Sequence, residues 1–99
     1  MQEEFELINN EEKQRYEFHV DHYRPLIEYT INREGVIFLT HTEVSLAIEG
    51  EGIGSQLAEA VLKDIEKRKL QLVPVCPFIS RYVSKHPEWR RILRRIEVE

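Results

Sequence analysis

The sequence predicts an α+β fold on a mixed sheet, in which antiparallel strands precede a strand–helix–strand unit and C-terminal helices. Two observations predict it. Early in the chain, apolar residues alternate with polar ones, which is typical of half-buried strands. After Gly54, apolar residues recur with the spacing of an amphipathic helix. Residues 1–99 are expected to form a single domain, because the chain is too short for two cores.

The predicted antiparallel meander has three or four strands. Alternation marks a short strand at 5–7 and a longer one at 16–20, and the polar pair at 21–22 fits a tight hairpin after it. The next strand covers 26–31. The continuous apolar run 36–39 predicts a central strand that is covered on both faces.

The second half of the chain predicts helices around one more strand. The stripe that predicts the first helix consists of Leu57, Ala58, Val61, Leu62 and Ile65. The short apolar run 70–75 predicts the last strand. Pro77 suits the first turn of a second helix, and Pro87 can end that helix and start a third, whose apolar side reaches Ile96.

Composition and charge exclude several classes of protein. A net charge of -4 argues against nucleic-acid binding, which favours a basic surface. The chain lacks the run of about 18 apolar residues that a membrane helix needs, and its acidic N-terminus is unlike a signal peptide. A single cysteine excludes an internal disulfide and a CxxC zinc site, so we expect a cytoplasmic protein without a metal centre.

A glycine-rich segment, Glu49-Gly50-Glu51-Gly52-Ile53-Gly54-Ser55, joins a predicted strand to the amphipathic helix. Glycines allow a sharp turn and a close approach of the backbone to a ligand. The first amides of a helix lack partners within it, so they can bind phosphate. The segment is neither a Walker loop nor a full GxGxxG motif, and a plain turn is the alternative interpretation.

Cys76 lies where the last predicted strand ends and a helix begins. A helix N-terminus stabilises a thiolate, which lowers the pKa of a cysteine and makes it a candidate nucleophile. The alternative is an unreactive buried thiol, since free cysteine is among the most buried residue types.

His41 is expected at the end of the central strand, where it is either a general base or a structural hydrogen-bonding residue. If the strand that ends before Cys76 lies next to the central strand, a pair between Cys76 and His41 is geometrically possible.

Together these segments resemble the GNAT superfamily of acyl-CoA-dependent N-acetyltransferases, and most of all its small single-domain YjdJ-type members. The resemblance extends from Tyr16 to Trp89. Its motifs are His41-Thr42-x-Val44, Gly50-x-Gly52-Ile53-Gly54-Ser55-x-Leu57, Pro74-x-Cys76-Pro77-Phe78, Tyr82 and His86-Pro87-Glu88-Trp89. It implies a minimal GNAT fold and an enzyme that transfers an acetyl group from acetyl-CoA to an amine of a small molecule or protein.

The resemblance also implies a site for acetyl-CoA or CoA. The superfamily's Q/R-x-x-G-x-G/A loop holds the pyrophosphate on backbone amides, and Glu49-x-x-Gly52-x-Gly54 stands in its place. The pantetheine arm would run between the strands that end at Val44 and Cys76. The implied cofactor-binding residues are Val44, Glu49, Gly50, Glu51, Gly52, Ile53, Gly54, Ser55, Cys76, Pro77 and Phe78.

Three residues are implied in catalysis. His41 would take a proton from the attacking amine, and Tyr82 would act as an acid toward the CoA sulfur. Cys76 offers a second route through an acetyl-cysteine, and the sequence leaves direct transfer and this route open. Arg81 or Lys85 in the basic C-terminal region would meet the nucleotide phosphates.

The sequence departs from the superfamily's pattern in its loop and in its length. Glu49 replaces Gln or Arg, and Glu51 adds a second acid that should weaken anion binding. The two helices that usually follow the first strand are missing, so the acceptor site is open or is completed by a partner. A non-catalytic acyl-CoA-binding module and a plain interaction domain are therefore alternatives, and we expect a monomer or a weak homodimer paired through an exposed last strand.

Overall fold

The computed structural model describes residues 5–94. Its elements are β1 (Ile8–Asn10), β2 (Arg15–Glu17), β3 (Leu26–Ile31), β4 (Val36–Glu43), α1 (Leu46–Glu49), α2 (Ile53–Lys67), β5 (Gln71–Pro74), α3 (Pro77–Lys85) and a 3-10 helix (Pro87–Ile92). The sheet has the order β1-β2-β3-β4-β5, with β1 to β4 antiparallel and β5 parallel to β4. The predicted α+β fold with a mixed sheet is confirmed.

The strands follow the predicted meander, but several differ in their bounds. The strand predicted at 16–20 is the shorter β2, beyond which Val20 forms an isolated bridge with Tyr23. The first strand lies at Ile8–Asn10 rather than at 5–7, because Phe5 packs against Phe18 instead of entering the sheet. β4 runs four residues beyond its apolar segment, since the polar residues up to Glu43 pair through their backbones with β3. Phe38 in β4 is only partly buried, so the expectation that this strand is covered on both faces is wrong in part.

Helix α2 packs its predicted apolar stripe into the core, and all five of the predicted residues are fully buried. At the C-terminal end of α2, the hydroxyl of Tyr16 donates to Asp64 at 2.6 Å and accepts from Arg68 at 2.8 Å. This link fixes α2 on β2 at one end, while the other end faces the glycine-rich segment.

The C-terminal part of the chain covers the outer edge of β5. Leu93 bridges Leu72, and the backbone N–H of Arg94 donates to the carbonyl of Leu72 at 2.8 Å. The predicted third helix is a 3-10 helix that buries Trp89 and Ile92, and Ile96 lies outside the described residues. The last strand is thus less exposed than expected. Across residues 5–94, the helices are too short or too polar to span a bilayer.

Candidate cofactor and catalytic site

A β-bulge in β4 decides which side chains reach the site. Glu28 pairs with His41, but the next residue of β3, Tyr29, pairs with Leu39, so Thr40 is an extra residue in β4. An extra residue reverses the alternation of side chains beyond it. As a result, Thr42 shares the core face with Leu39, and His41 lies on the opposite face with Glu28.

The glycine-rich segment forms a short helix and a turn before α2 begins. Gly52 caps α2 with a φ of 74°, a left-handed conformation that favours glycine, and no described side chain caps this end. The first amides of α2 are therefore available to an anion. The preceding α1 was not predicted, because four residues are too few to show a helical period.

Gly54 has a different role from Gly52, since it permits close packing. A Cβ at this position would lie 3.1 Å from Cζ of Phe78 and 3.6 Å from Cγ2 of Val44. A Cβ at Gly50 would meet no described atom within 4 Å. The start of α2 therefore rests on Phe78 of α3 and on the end of β4.

A cavity of about 370 Å³ opens at this junction. It is lined by Thr42, Val44, Glu49, Gly52, Gly54, Ser55 and Phe78. Six of the predicted cofactor-binding residues thus surround one space. The other five, which are Gly50, Glu51, Ile53, Cys76 and Pro77, are not among its described lining residues.

A second cavity of about 500 Å³ adjoins the first. It is lined by Arg24, Thr42, Glu43, Val44 and Ser45. The guanidinium of Arg24 donates to the carbonyls of Asp21 and Tyr23, both at 2.7 Å. Thr42 and Val44 line both cavities, so the two spaces meet at the end of β4.

The thiol of Cys76 lies next to Thr42, one of the two residues that line both cavities. Its Sγ is 3.3 Å from Oγ1 of Thr42, and the residue is 6% exposed. Burial alone would raise the pKa of the thiol, but hydrogen bonding with the Thr42 hydroxyl and with the backbone at Ile79, Phe78 and Thr42 outweighs it and lowers the pKa. The backbone N–H of Cys76 also donates to Leu39 at 2.9 Å, which ties the start of α3 to β4.

The structure does not bring His41 and Cys76 together. His41 is exposed on the other face of the sheet, where its Nε2 lies 3.3 Å from Oε1 of Glu43. The pair that the sequence permitted is not formed, because the bulge places Thr42 where regular alternation would have placed His41. Thr42 is the residue that sequence reasoning missed, although it stands within the motif His41-Thr42-x-Val44.

Tyr82 is a buried residue of α3. Its ring stacks on His86 with 4.0 Å between the ring centroids. Burial, with smaller contributions from the carboxylates of Glu59 and Glu88, raises the pKa of Tyr82 to about 12. The hydroxyl is thus influenced by α2 and the 3-10 helix, and Tyr82 lines neither cavity among residues 5–94.

The predicted phosphate contacts from α3 are not placed at the site either. Arg81 and Lys85 are exposed and are absent from the described linings of both cavities. The described residues also contain no group of three or more His, Cys, Asp or Glu side chains that could hold a metal ion.

Comparisons with known proteins agree with this architecture. A family model described as GCN5-related N-acetyl-transferase matches residues 15–92. Protein NATD1 of Mus musculus is 32% identical over 80 residues, which cover 77% of this chain and 73% of the mouse protein. Protein NATD1 of Gallus gallus is 33% identical over 66 residues, which cover 67% of this chain and 60% of that protein. The chain thus spans less than two thirds of the length of the chicken relative.

The NMR solution structure of a GCN5-like protein from Staphylococcus aureus has a similar fold. The two structures superpose with a TM-score of 0.71, covering 94% of this chain and 91% of that one. At 21% sequence identity, this likeness concerns the fold alone.

Proposed function

Since the chain belongs to the GCN5-related N-acetyltransferase family, we propose that it transfers an acetyl group from acetyl-CoA to an amine of a small molecule or protein. Membership of the family supports acyltransferase activity in general and confirms the resemblance found in the sequence. The observation that carries the finer proposal is the cavity at the start of α2, where free helix amides and two glycines lie beside the Thr42–Cys76 pair.

The residues around the first cavity fit CoA. The open amides at the start of α2 suit a pyrophosphate, because they combine hydrogen-bond donors with the positive end of the helix dipole. Gly52 keeps the backbone accessible on that side, since a Cβ there would meet no described atom within 4 Å. The apolar side chains of Val44 and Phe78 offer a surface for the pantetheine arm.

Glu49 is the lining residue that does not suit an anionic ligand. We expect Glu49→Gln to tighten CoA binding about two- to fivefold at low salt, because it removes a negative charge from the cavity that would hold the phosphates. Calorimetric titration with CoA measures the change. Glu51→Gln should change the affinity less, since Glu51 is not among the described lining residues. Weaker binding by Glu49→Gln would show instead that the carboxylate contributes to the site.

We further propose that the acetyl group passes through Cys76. Acetyl-CoA supplies an acetyl group that is already activated as a thioester. The Cys76 sulfur, having released its proton to solvent, bonds to the acetyl carbonyl carbon as the bond from that carbon to the CoA sulfur breaks. The CoA sulfur takes a proton from solvent. The acceptor nitrogen, deprotonated by a base, then bonds to the same carbon, and the bond to Cys76 breaks.

The acceptor amine is proposed to approach through the second cavity. That cavity shares Thr42 and Val44 with the first, so an amine there would approach the thioester at the border of the two spaces. His41 is 3.3 Å from Glu43, which lines this second cavity, and His41 is our proposed base for an amine that arrives on that face. A cytosolic location is proposed as well, since an unpaired reactive thiol stays reduced there.

The test of this function is the release of free CoA from acetyl-CoA in the presence of a panel of primary amines and amine-bearing peptides. We expect CoA release that depends on both the protein and the amine, with matching acetylated product in the mass spectrum. Tight CoA binding without turnover on any amine would favour the non-catalytic acyl-CoA-binding module, for which the acids in the loop are the sequence evidence.

A further inference from the structure

The position beside the Cys76 thiol is occupied by a hydroxyl and not by an imidazole. The bulge at Thr40 rotates His41 to the exposed face and brings Oγ1 of Thr42 to 3.3 Å from Sγ of Cys76. A thiol normally becomes a nucleophile by passing its proton to an adjacent base or by having its thiolate stabilised. With the imidazole on the other face, only stabilisation of the thiolate is available at this position.

The hydroxyl of Thr42 is suited to that task. In the structure the thiol donates to Oγ1, and a hydroxyl can both accept and donate. When the sulfur loses its proton, the hydroxyl can turn and donate to the thiolate. Backbone groups at Ile79 and Phe78 in the first turn of α3 also favour the thiolate, since they help to lower the pKa of Cys76. The Thr42 hydroxyl belongs to β4 and the backbone groups belong to α3, and these two elements meet at Cys76.

Charged side chains contribute little around the sulfur. On β4, His41 and Glu43 lie on the opposite face from Thr42, since neighbouring side chains alternate. The strand β5 contains no charged residue, and neither does the first turn of α2 from Ile53 to Leu57. On α3, the first charged residue is Arg81, which is exposed. Arg24 and Glu49 line the cavities that Thr42 borders, but the lowered pKa of Cys76 comes from hydrogen bonds that outweigh burial.

We propose that Thr42 is a positioning residue that stabilises the thiolate form of the Cys76 sulfur, in place of a base. This inference rests on the proposed function, in which Cys76 receives the acetyl group, and it deepens it. Thr42 lines both cavities, so the residue that activates the thiol also lies where the two proposed ligands would meet.

The test is the pH dependence of Cys76 alkylation by iodoacetamide in the full chain. The thiolate sulfur bonds to the reagent's methylene carbon, iodide leaves, and the thiol proton goes to solvent. Cys76 is the one cysteine in the sequence, so the mass increase of the whole protein reports this residue alone. The reagent is small enough for a thiol that is 6% exposed, and no ligand or turnover is needed.

Thr42→Val keeps the shape and removes the hydroxyl. We expect its alkylation midpoint to rise by about one pH unit, with a roughly tenfold lower rate at neutral pH, because the thiolate loses a hydrogen bond. Thr42→Ser restores the hydroxyl and should return the profile to that of the wild type. Thr30→Val, the same substitution at an exposed position on β3, is the matched control and should leave the profile unchanged.

Two results would overturn the proposal: a wild-type profile for Thr42→Val, or equal shifts for Thr42→Val and Thr42→Ser. If Thr42→Val does not fold by circular dichroism, Thr42→Ala against Thr42→Ser gives the same comparison. CoA titration of the same variants separates this inference from the function itself. If the alkylation profile of Thr42→Val does not move while CoA still binds, only the role of Thr42 is rejected. If the wild-type protein does not bind CoA, the proposed function itself is rejected.

Discussion

Gly52→Val is expected to abolish CoA binding in calorimetric titration. Gly52 has a φ of 74°, and a β-branched residue there would strain the turn that presents the amides of α2. Its Cβ would meet no described protein atom within 4 Å, so the new side chain would point into open space at the mouth of the phosphate site. The free energy of unfolding should also fall by about 1–2 kcal/mol because of the backbone strain.

The matched control for this substitution is Gly35→Val. Gly35 has a φ of 78°, nearly the same conformation, in the turn between β3 and β4 and outside the described linings of both cavities. It should lose a similar amount of stability and keep CoA binding. Retained affinity in Gly52→Val, or equal losses of affinity in both variants, would contradict the assignment of the glycine loop.

Cys76→Ala is expected to lower acetyl transfer on the order of a hundredfold or more, because it removes the nucleophile of the proposed route. The alanine should fit, because its side chain is smaller than the cysteine side chain, which is 6% exposed. The backbone hydrogen bond from residue 76 to Leu39 stays in place. CoA affinity should stay close to that of the wild type. Steady-state assays of CoA release measure the first effect, and calorimetry measures the second.

Mass spectrometry of the wild type after brief exposure to acetyl-CoA without an amine provides the control. We expect an acetyl group on Cys76, lost again when an amine is added. If Cys76→Ala keeps the full rate and the wild type carries no acetyl group, transfer is direct and the thiol only packs beside the thioester.

Much of the fold follows from periodicity in the sequence. β3 lies at Leu26–Ile31 as predicted, and α2 buries the predicted stripe, because burial on one face leaves a regular pattern. The polar end of β4 has no apolar period, since backbone pairing there does not depend on apolar side chains, and it was expected only from the resemblance, which places the strand end at Val44. The glycine-rich turn before α2 was predicted as well, because closely spaced glycines just before an amphipathic stretch can be recognised locally in the sequence.

The pairing of side chains around Cys76 could not be predicted in the same way. A single extra residue at Thr40 reverses which face each following residue occupies, and nothing in the residue types of Thr40 to Thr42 marks it. The prediction for His41 rested on its place at the strand end, and the face on which its side chain lies depends on the bulge. For Tyr82 the sequence likewise predicts a place in α3 but not the surroundings of the ring, which stacks on His86.

The central claim is that CoA binds at the start of α2 with its thioester end at the Thr42–Cys76 pair. The most direct measurement is a titration of the ¹⁵N-labelled protein with acetyl-CoA, followed through the backbone amide signals. We predict that the largest shifts fall on residues 52–56, on Thr42 and Val44, and on residues 76–79, with small shifts in β1 and β2. Shifts confined to other parts of the chain, or none at millimolar acetyl-CoA, would contradict the claim.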